Sequence, residues 1–422
     1  MFCTAIAWLS GCNGLSPQSV SPINGSAQAQ NDGQRQSRLN SQSDFARLFK
    51  FSLNDGALPT AGLVSLGGAF YGTTQLGGNV GCFGGYSEPG CGVVFKVTPS
   101  GKESAIYSFK GAPDGSHSFA PLIAVNGNLY GTTIKGGSYC DSSSSDGCGT
   151  VFKITPSGKE TVLYRFTGGN DGAVPSFYSP LVYVDGALYG ITKEGGANHA
   201  GTLFKVTLAG AESVLYSFEN LSPQAWPQGL VFANGAFYGT SLGRGRPYSN
   251  VYGSVFKVTL SGKETTLYNF KGSPRDGALP SGQLVAIDDT LYGTTSAGGI
   301  STCGPAGCGT LFSITMKGKE TTLHRFIPKK EGAIPYSGLI GASGALYGAN
   351  CCAGPGDGGT IFKATTAGQV TILHSFTSYS KAGSTPYGAL VMANGKLYGT
   401  TGFGGNKKTF NDGYGTVFSL TP

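Results

Sequence analysis

The chain has 422 residues and a formal charge of +7, with 12% charged residues, 11% aromatics and 71 glycines. That balance, with no sustained 3.6-residue apolar period, excludes a helical protein and points to short strands joined by glycine turns. The lysine excess recurs at one repeated position, as in Lys96, Lys153, Lys205, Lys257 and Lys363; this spreads the charge instead of concentrating it, and no nucleic-acid partner is expected.

In chain order, Phe2 to Leu9 is a short apolar run that ends in Leu9-Ser10-Gly11-Cys12. The last four residues resemble the lipobox of bacterial lipoproteins, although no Lys or Arg precedes the run. Residues 1–12 are therefore expected to be a lipoprotein-type signal with Cys12 as the lipidated residue, a plain cleaved secretory signal being the alternative. Residues 13–43 are rich in Ser, Gln, Asn and Gly and cannot bury a core. They are expected to be a tether with a root-mean-square span of about 30 Å.

From residue 44 onward one unit recurs. The [Leu/Phe]-Tyr-Gly phrase places tyrosines at Tyr71, Tyr130, Tyr189, Tyr238, Tyr292, Tyr347 and Tyr398. A Gly-Thr-Val-Phe-Lys-Val-Thr phrase places its aromatic at Phe95, Phe152, Phe204, Phe256, Phe312, Phe362 and Phe418. A Val-Leu-Tyr-Ser-Phe phrase ends at Phe51, Phe109, Phe166, Phe218, Phe270, Phe326 and Phe376. The order is always the same, with a period of roughly 50 to 60 residues, and a repeat of that length dictates architecture.

The second copy spells out the unit. Strands are expected at Leu122–Val125 and Leu129–Thr133 around the Asn126-Gly127 turn, then at Thr150–Thr155 and Glu160–Phe166 around Pro156-Ser157-Gly158. In the last strand simple alternation puts Val162, Tyr164 and Phe166 on one face and Leu163 on the other. Sheets apolar on both faces must pack on both, which four-stranded blades set radially achieve. The expected fold is thus all-β, a seven-bladed β-propeller over residues 44–422. The chain opens on a fourth-strand phrase, Ala46 to Phe51, and finishes on a third-strand phrase, Gly415 to Leu420. The N-terminal strand is therefore expected to complete the last blade and close the ring.

The run Leu-Tyr-Gly-Thr-Thr, Gly-Thr-Val-Phe-Lys-Val-Thr, Gly-Lys-Glu-Thr and Leu-Tyr-Ser-Phe resembles the GloVer tandem repeat of exported bacterial "choice-of-anchor" proteins. The resemblance covers nearly everything from Asp44 to Pro422. It implies export and a surface anchor, so an outer-membrane or cell-surface lipoprotein is expected, and it carries no catalytic residue.

Eight cysteines beyond Cys3 and Cys12 fall into local pairs. Cys82 with Cys91, Cys140 with Cys148, and Cys303 with Cys308 share one place in their repeats, between the Tyr-Gly and Val-Phe phrases. Loop-closing disulfides fit this pattern better than a metal site, because the pairs lie in different repeats with no histidine beside them. Cys351 and Cys352 are adjacent, and a vicinal disulfide or two thiols both fit the sequence.

The loops that vary between repeats share one face with the blade connections, and variable loops on a rigid scaffold are where binding resides. Tyr86, Tyr139, Tyr178, Trp226, Arg244, Arg246 and Tyr248 are the candidate ligand-binding residues there, as rings and guanidinium groups suit sugars or a protein partner. Phe177, Phe403 and Phe410 are further loop aromatics. The blade connections carry Asp-Gly-Ala-x-Pro at Asp55, Asp171 and Asp276, with Glu331 and Asp114 as variants. Acids near the axis could hold calcium, but a tight turn that uses Asp to bind backbone amides is the simpler reading, and no cofactor is expected. Glu88, Asp141, Asp146, Glu194, His199 and Asp357 are acid–base candidates whose spacing names no reaction. The sequence thus points to a monomeric, anchored binding module for carbohydrate or protein. The alternatives are an exported polysaccharide hydrolase or lyase, which would take its acid and base from the same loops, and a structural envelope protein.

Overall fold

The computed structural model describes residues 44–422 apart from 79–80, 83–88, 139, 141–145, 220–224, 244–251, 305, 379 and 406–412. The signal-like and tether segments, Cys12 included, lie outside the described residues. Seven antiparallel sheets follow one another along the chain as the blades of a seven-bladed β-propeller. Blade 2 is typical, with strands Ile123–Val125, Asn128–Thr133, Thr150–Ile154 and Glu160–Arg165 from the axis outward. In blade 7, strands Val391–Ala393, Lys396–Thr401 and Thr416–Leu420 are joined by the N-terminal strand Ala46–Lys50, which pairs antiparallel with Thr416–Leu420.

The repeated phrases have one physical basis. In each blade the Tyr-Gly phrase on the second strand lies opposite the third-strand phenylalanine and the residue after it, a lysine in five blades and a serine in blades 5 and 7, so that Tyr71 faces Lys96 and Gly72 faces Phe95. The tyrosine ring receives the lysine: the ammonium groups of Lys96, Lys205, Lys257 and Lys363 lie 5.7–5.9 Å from the ring centroids of Tyr71, Tyr189, Tyr238 and Tyr347. Such contacts are worth about 0.5–1 kcal/mol at exposed sites. The glycine admits the phenylalanine: a Cβ at Gly72, Gly131, Gly190, Gly239, Gly293, Gly348 or Gly399 would sit only 2.3–2.7 Å from that ring.

The third phrase joins blades. Phe51, Phe109, Phe166, Phe218, Phe270, Phe326 and Phe376, at the ends of the outer strands, meet the third-strand phenylalanine of the next blade at centroid distances of 4.9–5.4 Å. Edge-on aromatic pairs add about 0.5–1.5 kcal/mol each beyond the area they bury. The core is accordingly divided into seven apolar clusters, each shared by two adjacent blades.

Simple alternation fails in the outer strand. The pairing of third and outer strands slips by one residue in every blade, which leaves Leu48, Ile106, Leu163, Leu215, Leu267, Leu323 and Leu373 as bulge residues. As a result Leu163 and Tyr164 both pack on the cluster that holds Phe166, and Leu163 does not face away. The exposed bulge carbonyl also fits the next blade. A Cβ on the turn glycine Gly101, Gly158, Gly210, Gly262, Gly318 or Gly368 would lie 2.3–2.7 Å from such an oxygen, and all six glycines have φ of 81–93°.

The inner strands of all seven blades line a central channel of about 640 Å³. Its walls include Val64, Ile123, Val182, Val231, Gln283, Ile340 and Val391, and no Asp, Glu, Lys or Arg among the described residues.

Candidate site at the loop-face mouth of the channel

Each blade connection runs from the rim to the axis, and in the connections after blades 1, 2, 4 and 5 an acid acts at the rim. Tyr107 on the outer strand of blade 1 donates its hydroxyl proton to Asp114 Oδ2 at 2.8 Å, and the Lys110 amide donates to the same oxygen at 3.0 Å. Tyr164 and the Thr167 amide do the same to Asp171, and Tyr268 and the Lys271 amide to Asp276. Burial and then the bonded aspartate push all three tyrosines up from the usual phenol range. Where the tyrosine is replaced by His324, the aspartate is replaced by Glu331, and His324 Nε2 lies 2.8 Å from Glu331 Oε2. These acids clasp the preceding blade at its rim, where each also accepts a backbone amide as the tight-turn reading expects. Among the described residues no group of three or more His, Cys, Asp or Glu side chains could hold a metal ion.

Each connection then reaches a residue with φ of 53–61°: Leu58, His117, Val174, Trp226, Leu279, Ile334 or Thr385. This region is strained for side chains of such bulk. In every case the backbone amide donates to a carbonyl in the loop of the preceding blade, at Tyr414, Cys91, Cys148, Ala200, Tyr252, Cys308 or Gly358. Three of those acceptors are the second cysteine of a clipped pair. Cys82–Cys91, Cys140–Cys148, Cys303–Cys308 and Cys351–Cys352 are all disulfides, so the clips in blades 1, 2 and 5 fix the loops that hold these turns. His117 is 2% exposed, and burial first, then Lys135, pushes its pKa down to about 4.

The connections end over the loop-face mouth of the channel, and there they stop being alike. Seven residues lie between Asp55 and Leu63, Asp114 and Leu122, Asp276 and Leu284, and Glu331 and Leu339, but nine between Asp171 and Leu181. The longer connection carries Phe177 and Tyr178. Phe177 packs on Phe119 at 5.0 Å, and Tyr178 stacks on Tyr336, from the connection to blade 6, at 6.0 Å and 17°. Tyr336 in turn meets Tyr387 at 6.1 Å. A row of rings thus crosses the mouth from blade 2 to blade 7. Phe119 and Tyr387 are buried, whereas Phe177, Tyr178, Tyr336 and Trp226 are partly exposed. Lys193, at the end of the second strand of blade 3, places its ammonium 4.7 Å from the Phe177 ring centroid and 5.5 Å from that of Trp226. Burial lowers its pKa, while the charge of neighbouring Glu194 acts in the opposite direction.

Of the candidate binding residues, Tyr178 and Trp226 are brought to this mouth, one on each side of the Phe177–Lys193 pair. Tyr86, Tyr139, Arg244, Arg246 and Tyr248 lie outside the described residues, as do Phe410, Glu88 and Asp141. Asp146 pairs with Lys135 at 2.8 Å on the surface. His199 and Asp357 are exposed residues in the left-handed region, His199 in a turn and Asp357 at the start of the strand Asp357–Ala364. Phe119, Tyr336, Tyr387 and Lys193 were not singled out by sequence reasoning. The signal for Tyr336 and Tyr387 was the position just after the connection proline, which reads Thr60, Ser176, Gln228, Ser281, Tyr336 and Tyr387 across the repeats, whereas Lys193 carried none.

The fold and this mouth define a seven-bladed propeller with a rigid scaffold and one asymmetric aromatic surface. The profile of the Gloeobacter/Verrucomicrobia repeat matches residues 27–176, 81–306 and 227–422, and the chain belongs to that family. No curated protein sequence matches the chain. Among solved structures, a puromycin hydrolase is similar at TM-score 0.50 and 13% identity over 84% of this chain and 52% of that one. A Bacteroides thetaiotaomicron protein of unknown function is similar at TM-score 0.44 and 11% identity, covering 91% of this chain and 98% of that one. A gluconolactonase from Xanthomonas campestris is similar at TM-score 0.39 and 13% identity, covering 64% and 78%. At these identities the likeness concerns the fold alone.

Proposed function

We propose that this propeller is a carbohydrate-binding module displayed outside the cytosol and tethered through a lipidated Cys12. The observation that carries the binding reading is the set of partly exposed rings, Phe177, Tyr178, Tyr336 and Trp226, held over the channel mouth. Flat, preorganised aromatic faces suit the apolar faces of pyranose rings, and their conformational cost on binding is small. Four disulfides and the repeat family are consistent with an extracellular location. An enzymatic reading has less support. The described mouth aromatics and channel walls carry no pair of carboxylates, and glycoside hydrolysis by its usual route needs two at a set separation.

A glycan array probed with the purified full chain, followed by calorimetry on each hit, tests this reading. Trp226→Ala and Tyr178→Ala should each weaken binding about tenfold, the scale of a modest hot spot. Tyr183→Ala, on the inner strand of blade 3, should leave it unchanged. Binding of no glycan, or binding indifferent to Trp226 and Tyr178, refutes the proposal, and cleavage of a bound glycan replaces it with the enzymatic one. Lipidation is tested by fatty-acid labelling: Cys12→Ser should abolish it, and an unchanged signal removes the anchor.

A further inference from the structure

Lys193 distinguishes this mouth from a general sugar platform. The equivalent residue, four positions after the repeat tyrosine, is Gln75, Ile134, Leu242, Ser296, Cys351 and Gly402 in the other blades. Only blade 3 places a cation there. This blade also has the lengthened connection, and the two features meet, with the Lys193 ammonium between the Phe177 and Trp226 rings. Among the described residues Lys193 takes part in no ion pair. An ammonium set against two rings and partly buried gives up some of its water and retains three N–H donors. The rings offset only part of that loss through their π faces. Glu194, next in the strand, acts on Lys193 through its charge, but no ion pair joins the two.

We infer that the mouth selects an acidic carbohydrate, a uronic-acid-bearing chain whose carboxylate is held by Lys193 while its pyranose faces lie on Trp226, Phe177 and Tyr178. This rests on the carbohydrate-binding reading and adds its substrate class. A carboxylate one carbon outside the ring stays near the plane of the sugar. An aromatic face under the ring and a cation between two such faces therefore match that shape. A bound carboxylate also completes the charge-assisted hydrogen bonds that the desolvated ammonium lacks. Burial already lowers the Lys193 pKa, and an anion beside it would raise it again.

The test uses the purified full chain with oligomers of galacturonate, glucuronate and mannuronate, each beside its methyl ester, plus neutral oligosaccharides and poly-glutamate. Calorimetry at low and high salt measures each affinity. One uronate oligomer is expected to bind at least tenfold more tightly than its ester, with the difference shrinking in salt. Lys193→Gln should abolish that difference, and Lys193→Arg should keep most of it. An unchanged melting temperature in Lys193→Gln shows that the loss is not one of folding. Equal binding of acid and ester, or binding of neutral glycans alone, overturns the uronate assignment and leaves the aromatic mouth standing. Binding of poly-glutamate without any glycan overturns it in favour of an acidic protein. Absence of all binding removes both this inference and the reading beneath it.

Discussion

The glycine of the Tyr-Gly phrase offers a sharp test of the packing argument, because two effects of known sign oppose each other there. Gly131 lies inside the second strand of blade 2, and its φ is not positive. Backbone freedom alone would make alanine better by about 0.5–1 kcal/mol. Against this, a Cβ at Gly131 would meet Leu122 Cδ2 at 2.6 Å and Phe152 Cζ at 2.7 Å. Both neighbours are buried, at 2% and 1% exposure, and each must retreat by roughly 1 Å to reach ordinary contact. Overpacking of this kind costs about 1–3 kcal/mol. Sterics should win, and Gly131→Ala should destabilise by about 1–2 kcal/mol net.

Phe152→Leu removes the ring atoms in the way and leaves room for Leu122 to shift. By itself it loses the edge contact with Phe109 at 5.2 Å and should cost roughly 1–3 kcal/mol. In that background Gly131→Ala should be neutral or stabilising, which gives a coupling of about 1.5–2.5 kcal/mol. The assay is thermal and denaturant unfolding with disulfides intact. For a folded body of this size 1 kcal/mol corresponds to roughly 1 °C, so denaturant midpoints are the sharper readout. Gly169→Ala is the control, since its nearest neighbour would be Thr167 Oγ1 at 3.7 Å, and it should not destabilise. If Gly131→Ala is neutral in the parent, or costs the same in both backgrounds, the glycine is not there to admit the ring.

Three other predictions concern the rim and the chain ends. Glu103, Glu160, Glu212 and Glu320 each open an outer strand and are pushed up to about 7 by burial and then by an acid of the preceding connection. A raised carboxyl pKa stabilises below its unfolded value near 4.5, and that stability is lost as pH rises through 7. Discounted because these groups are partly exposed, the loss between pH 6.5 and 8 should be about 0.5 kcal/mol per group, and Glu→Gln at all four should flatten the melting temperature over that range. A slope that survives the four changes refutes the assignment. Burial holds His117 and His374 at about 4, so they act in the other direction below pH 6.5 and leave the test window clear. His324→Tyr and Glu331→Asp should each destabilise blade 5 by about 1–3 kcal/mol, while the double change restores the Tyr–Asp clasp; additive losses in unfolding would argue against a coupled pair. Deletion of residues 44–51 should unfold or aggregate the protein by removing the outer strand of blade 7 and the Phe51–Phe95 contact. Grafting the same strand after Pro422 through Ser-Gly-Lys should rescue it, and an unchanged melting curve on deletion would show that the strand is dispensable.

The repeat made the scaffold legible because each phrase meets another phrase. Tyr71 opposite Lys96, Gly72 under Phe95 and Phe109 against Phe152 are short-range consequences of period and order. The bulge at Leu163 was not legible, since a β-bulge shifts register without any demanded residue type and breaks the alternation on which strand reading depends. The left-handed residues before the connection prolines were hidden for a different reason. Proline biases its predecessor towards extended backbone, so Val174 and Ile334 in the left-handed region are set by tertiary hydrogen bonds to Cys148 and Cys308. At the mouth, Tyr178 and Trp226 stood out as aromatics that break the repeat. Lys193 did not, because a lysine at the end of a strand looks like any solvated lysine until the Phe177 and Trp226 rings are placed around it.

That contrast bears on how a cyclic scaffold acquires a single site. Seven equal connections would deliver seven equal residues to the axis, and a symmetric mouth would have no direction in which to hold a chain. Here the two extra residues before Leu181 carry Tyr178 across the axis to Tyr336 of a non-adjacent connection, while the same stretch supplies the Phe177 ring that receives Lys193. One local insertion therefore both roofs the channel and places the only mouth lysine among the described residues off-centre, between blades 3 and 4. Shortening that connection by Phe177 and Tyr178 should leave the four rim clasps and the seven interblade phenylalanine pairs in place, with unfolding changed by no more than about 1–2 kcal/mol, because loop length itself contributes weakly to stability. Glycan binding should be lost altogether. Retained binding in the shortened protein would move the site away from the mouth, towards the loops around Arg244 and Tyr248.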